Sequence, residues 1–180
     1  ERDCRCESIA SFASALLGAG CDPNVVLQGG TSLHVAVEEG NADEVESLIT
    51  RERINEPLNH NGATPLVVAC QAGHASLISM LVAAGADVNA VMGMGDSGVT
   101  AMHVACGSQS AVPLVRELLA AGAHADVASD VGASPLHVAC SNGNVEVVGI
   151  LLAVGAGWRL LTVAALLAAH EPGACVRKLK

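Results

Sequence analysis

Three histidines recur at the same position of a repeated sequence motif, and histidines in register could bind a metal ion or relay protons. His34, His103 and His137 each stand third after a Thr or Ser and precede Val-Ala. Zinc requires its imidazole ligands within about 2.1 Å, whereas neighbouring helices pack about 8–10 Å apart. Val67 also interrupts the series. We therefore predict a structural role, in which each imidazole hydrogen-bonds backbone groups of a neighbouring turn.

Three cysteines form a second series directly after the same motif, at Cys70, Cys106 and Cys140. A disulfide requires Cα atoms within about 7 Å of each other, which is less than the distance expected between successive repeats. We therefore predict that these thiols are free and act as small buried hydrophobic groups.

The sequence contains no constellation of residues that is typical of catalysis. The Cys4-x-Cys6 pair with Cys21 is too sparse for a zinc signature. No Cys-His dyad, glycine-rich phosphate loop or pair of carboxylates follows a recognisable spacing. We expect no catalytic residue, cofactor, metal ion or small-molecule substrate.

The motif that carries these residues occurs four times, and this repetition identifies the secondary-structure elements that position them. It covers residues 31–36, 64–69, 100–105 and 134–139, at start-to-start distances of 33, 36 and 34 residues. A period of this size is typical of stacked helical units that bury a shared core by adjacency. One Phe, one Trp and no Tyr among 51% hydrophobic residues predict thin, closely packed helices.

The second repeat gives the clearest local pattern. Thr64 is predicted to be the N-cap and Pro65 the first residue of a helix over residues 65–72. A second helix is predicted over residues 75–84 and ends at Gly85. Its inward side chains are expected to be Leu77, Ile78, Leu81 and Val82.

Three departures from this pattern are visible. Residues 51–55 lack the glycine of the equivalent turn, which leaves the geometry of that turn open. Residues 92–98 lengthen the next connection by three residues and predict a glycine-rich, mobile finger. Residues 107–113 are predicted to replace the tight turn between two helices with one extra residue.

These motifs resemble those of the ankyrin repeat family: the Thr-Pro-Leu-His-x-Ala opening, glycine between the helices and Gly85-Ala-Asp-Val-Asn89. The resemblance covers about residues 8–158. It implies an all-α solenoid of stacked antiparallel helix pairs with projecting turn or hairpin fingers. The predicted divisions are a capping half-repeat (1–28), four repeats (29–61, 62–97, 98–131 and 132–158) and a degenerate cap helix with a basic tail (159–180).

Charge and hydropathy narrow the class of partner. The net charge is -9, and five acidic residues lie within residues 38–46, which disfavours nucleic acid and anionic membranes. This run is either a solvated helix face or part of a site for a basic partner. Residues 147–169 are apolar but interrupted by glycine, so we expect no membrane span. Seven cysteines without a recognisable signal peptide favour a cytoplasmic or nuclear location.

Positions that vary between the repeats predict the binding surface. In this family the fingers and the concave helix face usually hold another protein, and catalysis is not expected of the repeats. The candidate contact residues are Leu27, Gln28, Glu38, Glu39, His60, Asn61, Gln71, Asp96, Ser97, Val99, Ser108, Asp130, Val131, Ser141 and Asn142. This set lacks the Trp, Tyr and Arg that anchor many interfaces, so the partner is expected to supply bulky groups.

Three hypotheses for function remain open. The first is a non-catalytic interaction module, scaffold or adaptor, that binds a protein or peptide. The second is a regulatory or substrate-recruiting domain of a larger enzyme or channel. The third is self-association through the apolar segment Trp158 to Ala169, although we expect a monomer.

Overall fold

The computed structural model describes residues 31–49, 54–58, 62–92 and 98–155 of the 180. These residues form eight helices and one two-stranded antiparallel sheet. In chain order they are α1 (Ser32–Glu39), α2 (Ala42–Leu48), α3 (Pro65–Ala72), α4 (Ala75–Ala83), β1 (Val91–Met92), β2 (Val99–Thr100), α5 (Ala101–Gly107), α6 (Ala111–Ala120), α7 (Pro135–Ser141) and α8 (Val145–Ala153).

The helices form two rows, because each repeat contributes one helix to each. The first helices α1, α3, α5 and α7 pack on one another in sequence, and in the second row α4 packs on α6 and α6 on α8. The predicted all-α stack of helix pairs is confirmed. No helix among the described residues is long and apolar enough to cross a membrane.

The core consists of the same positions repeated along the stack. The third residue of each motif fills the space between the two rows of helices, and the sixth is an alanine with no exposed surface. The former are Leu33, Leu66, Met102 and Leu136, and the latter are Ala36, Ala69, Ala105 and Ala139. Alanine lets neighbouring first helices approach closely, and the larger residues fill the remaining volume.

The second repeat follows the sequence prediction closely. Helices α3 and α4 begin at Pro65 and Ala75, and Gly85 follows α4 with a φ of 100°. Of the residues predicted to point inward, Leu77, Ile78 and Leu81 are buried and Val82 is half-buried.

The turn between α5 and α6 contradicts its prediction. The second helix begins eleven residues after the N-cap in all four repeats, so residues 107–113 contain no extra residue. Gly107 is the last residue of α5, and Gln109 stands where the other repeats have a glycine of positive φ. Pro113 lies in the first turn of α6, where its missing N–H breaks no helical hydrogen bond.

We call the segments that lead into α3, α5 and α7 the second, third and fourth fingers. The second includes residues 54–58, 62 and 63. The third contains the β1–β2 hairpin, in which Val91 pairs with Thr100 and Met92 with Val99. The fourth comprises residues 123–133. Residues 50–53, 59–61 and 93–97, the predicted cap at 1–28 and the predicted cap and self-association segment after residue 155 lie outside the described residues.

Candidate protein-binding surface

The histidine series is structural, as its hydrogen bonds show. The backbone N–H of Thr31 donates to Nδ1 of His34 at 3.3 Å, so Nδ1 carries no proton and the neutral ring is protonated at Nε2. The Thr31 hydroxyl lies 2.8 Å from the same Nδ1. Nε2 then donates to the carbonyl of Ala63 in the next repeat at 3.3 Å. His34 thus ties its own helix start to the second finger.

His103 repeats this arrangement one joint further along. Its Nδ1 accepts from the Thr100 N–H at 3.2 Å, and its Nε2 donates to the Ala133 carbonyl at 3.0 Å. Burial lowers the pKa of both His34 and His103, which keeps the rings neutral. The predicted structural role is confirmed for His34 and His103, and His137 Nδ1 accepts in the same way from the Ser134 N–H at 3.2 Å. Among the residues that the structure describes, no group of three His, Cys, Asp or Glu could hold a metal ion.

The cysteine series is also structural. Cys70 and Cys106 are fully buried, and burial raises the pKa of each thiol to about 12. A thiol with such a pKa stays protonated at neutral pH and is a poor nucleophile. Cys140 is half-buried, and none of the three is in a disulfide. The prediction of small buried hydrophobic groups is confirmed for Cys70 and Cys106.

Asparagine side chains fix the bases of successive fingers. Asn55 accepts from the Asp87 N–H at 2.8 Å and donates to the Gly85 carbonyl at 3.3 Å. Asn89 accepts from the His124 N–H at 2.8 Å in the same way. Asn55 is the last residue of the turn at residues 51–55, which lacks glycine. It nevertheless makes the same kind of contact with the next repeat as Asn89 does.

The acidic end of the described part of the stack is formed by α1, α2 and the turn between them. Glu38, Glu39, Asp43 and Glu46 are exposed, and Glu44 is half-buried. Burial raises the pKa of Glu44, the Glu39 carboxylate raises it further, and a hydrogen bond from Asn41 opposes both. These groups concentrate negative charge at one end of the stack.

His74 holds the turn of this acidic end against the second repeat. Its Nε2 donates to the Glu38 carbonyl at 3.1 Å. Its ring lies directly over Gly40, where a Cβ would come within 2.6 Å of Cε1. Gly40 also has a φ of 75°, so both the backbone and the contact require glycine. The positions of Glu38 and Glu39 are therefore set by a rigid turn.

Positive charge is nearly absent between residues 54 and 158. Arg116 is the only Lys or Arg between residues 54 and 158, a range that holds seven Asp or Glu. It lies on α6 in an exposed ion pair with Glu146, at 3.7 Å. The described first helices and fingers therefore carry no Lys or Arg.

The candidate contact residues that the structure describes fall into two groups. At the C-terminal ends of the first helices, Glu38, Glu39, Gln71, Ser141 and Asn142 are exposed and Ser108 is half-buried. On the fingers, Asp130 and Val131 are exposed and Val99 is half-buried. Leu27, Gln28, His60, Asn61, Asp96 and Ser97 lie outside the described residues. A first helix of eight residues spans about 12 Å, which separates the two groups.

A column of valines lies between these two groups and was not predicted. Its members are Val35, Val68, Val104 and Val138, one in each copy of the repeated motif. Val68 is buried and the other three are half-buried, so part of this column faces outward from the first-helix row. The repeated Val was visible in the sequence, but periodicity alone could not distinguish it from the buried positions.

Comparison with known proteins adds to this geometry. The family model described as ankyrin repeats (3 copies) matches residues 4–92 and 91–162. The chain belongs to the ankyrin repeat family. Ankyrin repeats are a protein–protein interaction module, and the family is generally non-catalytic.

Individual relatives place ankyrin repeats of this kind in larger proteins. The NF-kappa-B p105 subunit of Gallus gallus is 35% identical over 153 residues, which are 82% of this chain and 15% of p105. The NF-kappa-B inhibitor alpha of Homo sapiens is 41% identical over 86 residues, 44% of this chain and 27% of the inhibitor. The tyrosine-protein kinase HTK16 of Hydra vulgaris is 34% identical over 132 residues, 70% of this chain and 17% of the kinase.

Proposed function

We propose that this ankyrin stack is a non-catalytic scaffold or adaptor that binds a protein partner across its first-helix face and fingers. The observation that carries the proposal is that, in each repeat, the recurring positions and the variable positions differ in burial. The His, Cys, Leu and Ala columns are almost entirely buried, whereas the positions that differ between repeats are mostly exposed at the two ends of the first helices. Differences confined to exposed positions can change the partner without changing the scaffold.

Charge favours a basic partner at the first repeat. Glu38 and Glu39 are exposed at the end of α1, and no described Lys or Arg lies on the first-helix face to neutralise them. A basic surface would gain favourable long-range attraction, expressed mainly as faster association. The relatives named NF-kappa-B p105 and NF-kappa-B inhibitor alpha support a regulatory protein contact, and we propose an intracellular location for this chain as well.

The experiment is affinity purification with the full chain as bait, followed by mass spectrometry and measurement of affinity for each purified partner. Glu38→Lys with Glu39→Lys changes the charge at the first-helix end. Asp43→Lys with Glu46→Lys makes the same change of charge on α2 and is the matched control. We expect the first variant to weaken binding and reduce its salt dependence, and the control to retain most of both. Equal losses in the two variants would contradict a site on the first-helix face.

A second candidate function is recruitment or regulation within a larger enzyme. Two relatives favour it: the kinase HTK16, and the E3 ubiquitin-protein ligase KEG of Arabidopsis thaliana, in which the match covers only 8% of the ligase. Sequencing the complete reading frame tests this candidate. An adjoining kinase or ligase domain would support it, and a reading frame that encodes ankyrin repeats alone would contradict it.

A further inference from the structure

The fourth finger is held rigid by three hydrogen bonds around Ser129. The Ser129 N–H donates to the Ala133 carbonyl at 2.8 Å, and the Gly132 N–H donates to the Ser129 carbonyl at 2.8 Å. The Ala133 N–H donates to Ser129 Oγ at 3.2 Å. Gly132 closes the turn with a φ of 78°. A finger fixed in this way loses little conformational freedom when it binds.

The third finger supports the fourth from one side. A Cβ added to Gly98 would lie 2.8 Å from the Asp130 nitrogen, so the two fingers touch at this point. Gly98 also has a φ of 55°. Because the fingers are in contact, no open cleft separates them at this point.

The described parts of these two fingers expose apolar groups. Val131, next to Asp130 at the tip of the fourth finger, is 86% exposed, and Val91 in the third finger is 61% exposed. Only two other large hydrophobic residues in the described chain are comparably exposed, Leu152 and Val154, and both are at the end of the last described helix. A protruding valine on a rigid turn is suited to insertion into a depression of a partner.

The charges around these valines specify the surroundings of that depression. Asp126 and Asp130 are exposed on the fourth finger, and Asp130 directly precedes Val131. From residue 54 to residue 158 the sequence contains one Lys or Arg, Arg116 on α6, so no Lys or Arg on the third and fourth fingers compensates these carboxylates. Charge complementarity therefore requires positive groups on the partner.

We propose that the third and fourth fingers dock a folded protein whose surface has an apolar depression bordered by Lys and Arg side chains. Val131 enters the depression, Val91 packs at its edge, and Asp126 and Asp130 pair with the basic border. This inference rests on the proposed function, because it names the partner chemistry for one part of the same interaction surface. The partner supplies the bulky groups, since neither finger contains an aromatic residue.

The experiment selects binders against the full chain from a displayed library of a small three-helix scaffold that is randomised over one face. The selected binders are then measured against Val131→Ser, Val91→Ser and Asp126→Asn with Asp130→Asn. Val112→Ser, on the half-buried side of α6 away from the fingers, is the matched control. Circular dichroism checks that each variant remains folded, which the exposure of Val131 favours.

We expect most binders to lose tenfold or more in affinity on Val131→Ser, through faster dissociation, and to change less than twofold on Val112→Ser. The selected faces should carry apolar residues beside Lys or Arg, and Asp126→Asn with Asp130→Asn should slow association and flatten its salt dependence.

Three outcomes would overturn the inference. If most binders ignore Val131→Ser but fail on Glu38→Lys with Glu39→Lys, the inference falls and the proposed function stands. If they respond only to changes on the second helices, both fall. If light scattering shows a dimer of this chain that Val131→Ser dissociates, the fingers bind a second copy rather than a basic partner.

Discussion

Replacing Thr64 with valine should stabilise the protein, although threonine is normally a favourable N-cap residue. The Thr64 hydroxyl is buried and has no hydrogen-bond partner, because Val67 stands where the other repeats have histidine. Its side chain makes no capping hydrogen bond to α3. In the first and third repeats the equivalent hydroxyls lie 2.8 Å and 2.9 Å from the Nδ1 atoms of His34 and His103.

The magnitude follows from the loss of an unpaired polar group. A buried hydroxyl without a partner costs about 1–3 kcal/mol, and the methyl group that replaces it adds about 0.8 kcal/mol of apolar burial. The backbone of Thr64 is extended, with φ -80° and ψ 162°, which a β-branched valine adopts without strain. After allowance for imperfect packing, we expect the free energy of unfolding to rise by about 1–2 kcal/mol and Tm by about 2–8 °C.

Thr100→Val is the matched control, because the same substitution there removes a real hydrogen bond. The hydroxyl of Thr100 is bonded to His103, so its loss should lower the free energy of unfolding by about 1 kcal/mol. The assay is urea unfolding followed by far-UV circular dichroism, with the slopes of the two variants compared to exclude changes in the unfolded state. If both substitutions destabilise the chain equally, the conclusion that the Thr64 hydroxyl has no hydrogen-bond partner is refuted.

Two further predictions concern the joints between repeats. Burial lowers the pKa of His34 and His103 from 6.5, so the unfolded chain binds protons that the folded chain does not. The free energy of unfolding should therefore level off above roughly pH 7.5, where the unfolded imidazoles are neutral as well, and fall as the pH drops below that value. Urea unfolding from pH 8 to about pH 5.5 tests this, and a flat profile would contradict it. Gly40→Ala should destabilise by more than the roughly 1–2 kcal/mol of a left-handed backbone alone, because its Cβ would also strike His74. Gly143→Ala is its control, since Gly143 has a φ of 68° and no atom within 4 Å of an added Cβ. Equal effects on thermal unfolding would show that the His74 contact contributes nothing.

The helix pairs could be predicted from sequence because their boundaries are set by local chemistry. Thr64 and Pro65 start α3, and glycines of positive φ end both helices of that repeat. The turn between α5 and α6 could not be predicted in the same way. Gly107 resembles a turn glycine but is helical, since the starting point of α6 is set by its packing on α4 and α8 and not by the nearest glycine.

The candidate surface could be predicted only in part, and the reason is again packing. Glu38, Glu39 and Asp130 are exposed as expected, because charged side chains on a helix end or turn have no route into a core of alanine and leucine. The partial exposure of the valine column could not be predicted, because it depends on how close the next first helix lies. The 86% exposure of Val131 depends on the tight turn around Ser129, which no residue type specifies by itself.

Several departures from the repeat pattern lie at or next to the contact between the second and third repeats. Val67 cannot donate the hydrogen bond that histidines give to the carbonyls of Ala63 and Ala133, and the residue at the equivalent place, Val99, lies instead in the β1–β2 hairpin. The same joint carries the lengthened finger, and Gln109 replaces the glycine in the following turn. Because the hairpin holds Val99 without an imidazole, this finger can differ in length while the helices beneath keep a common spacing. The stack thus combines a fixed interior with a finger whose shape is set independently, and such a finger can acquire its own specificity without disturbing the core.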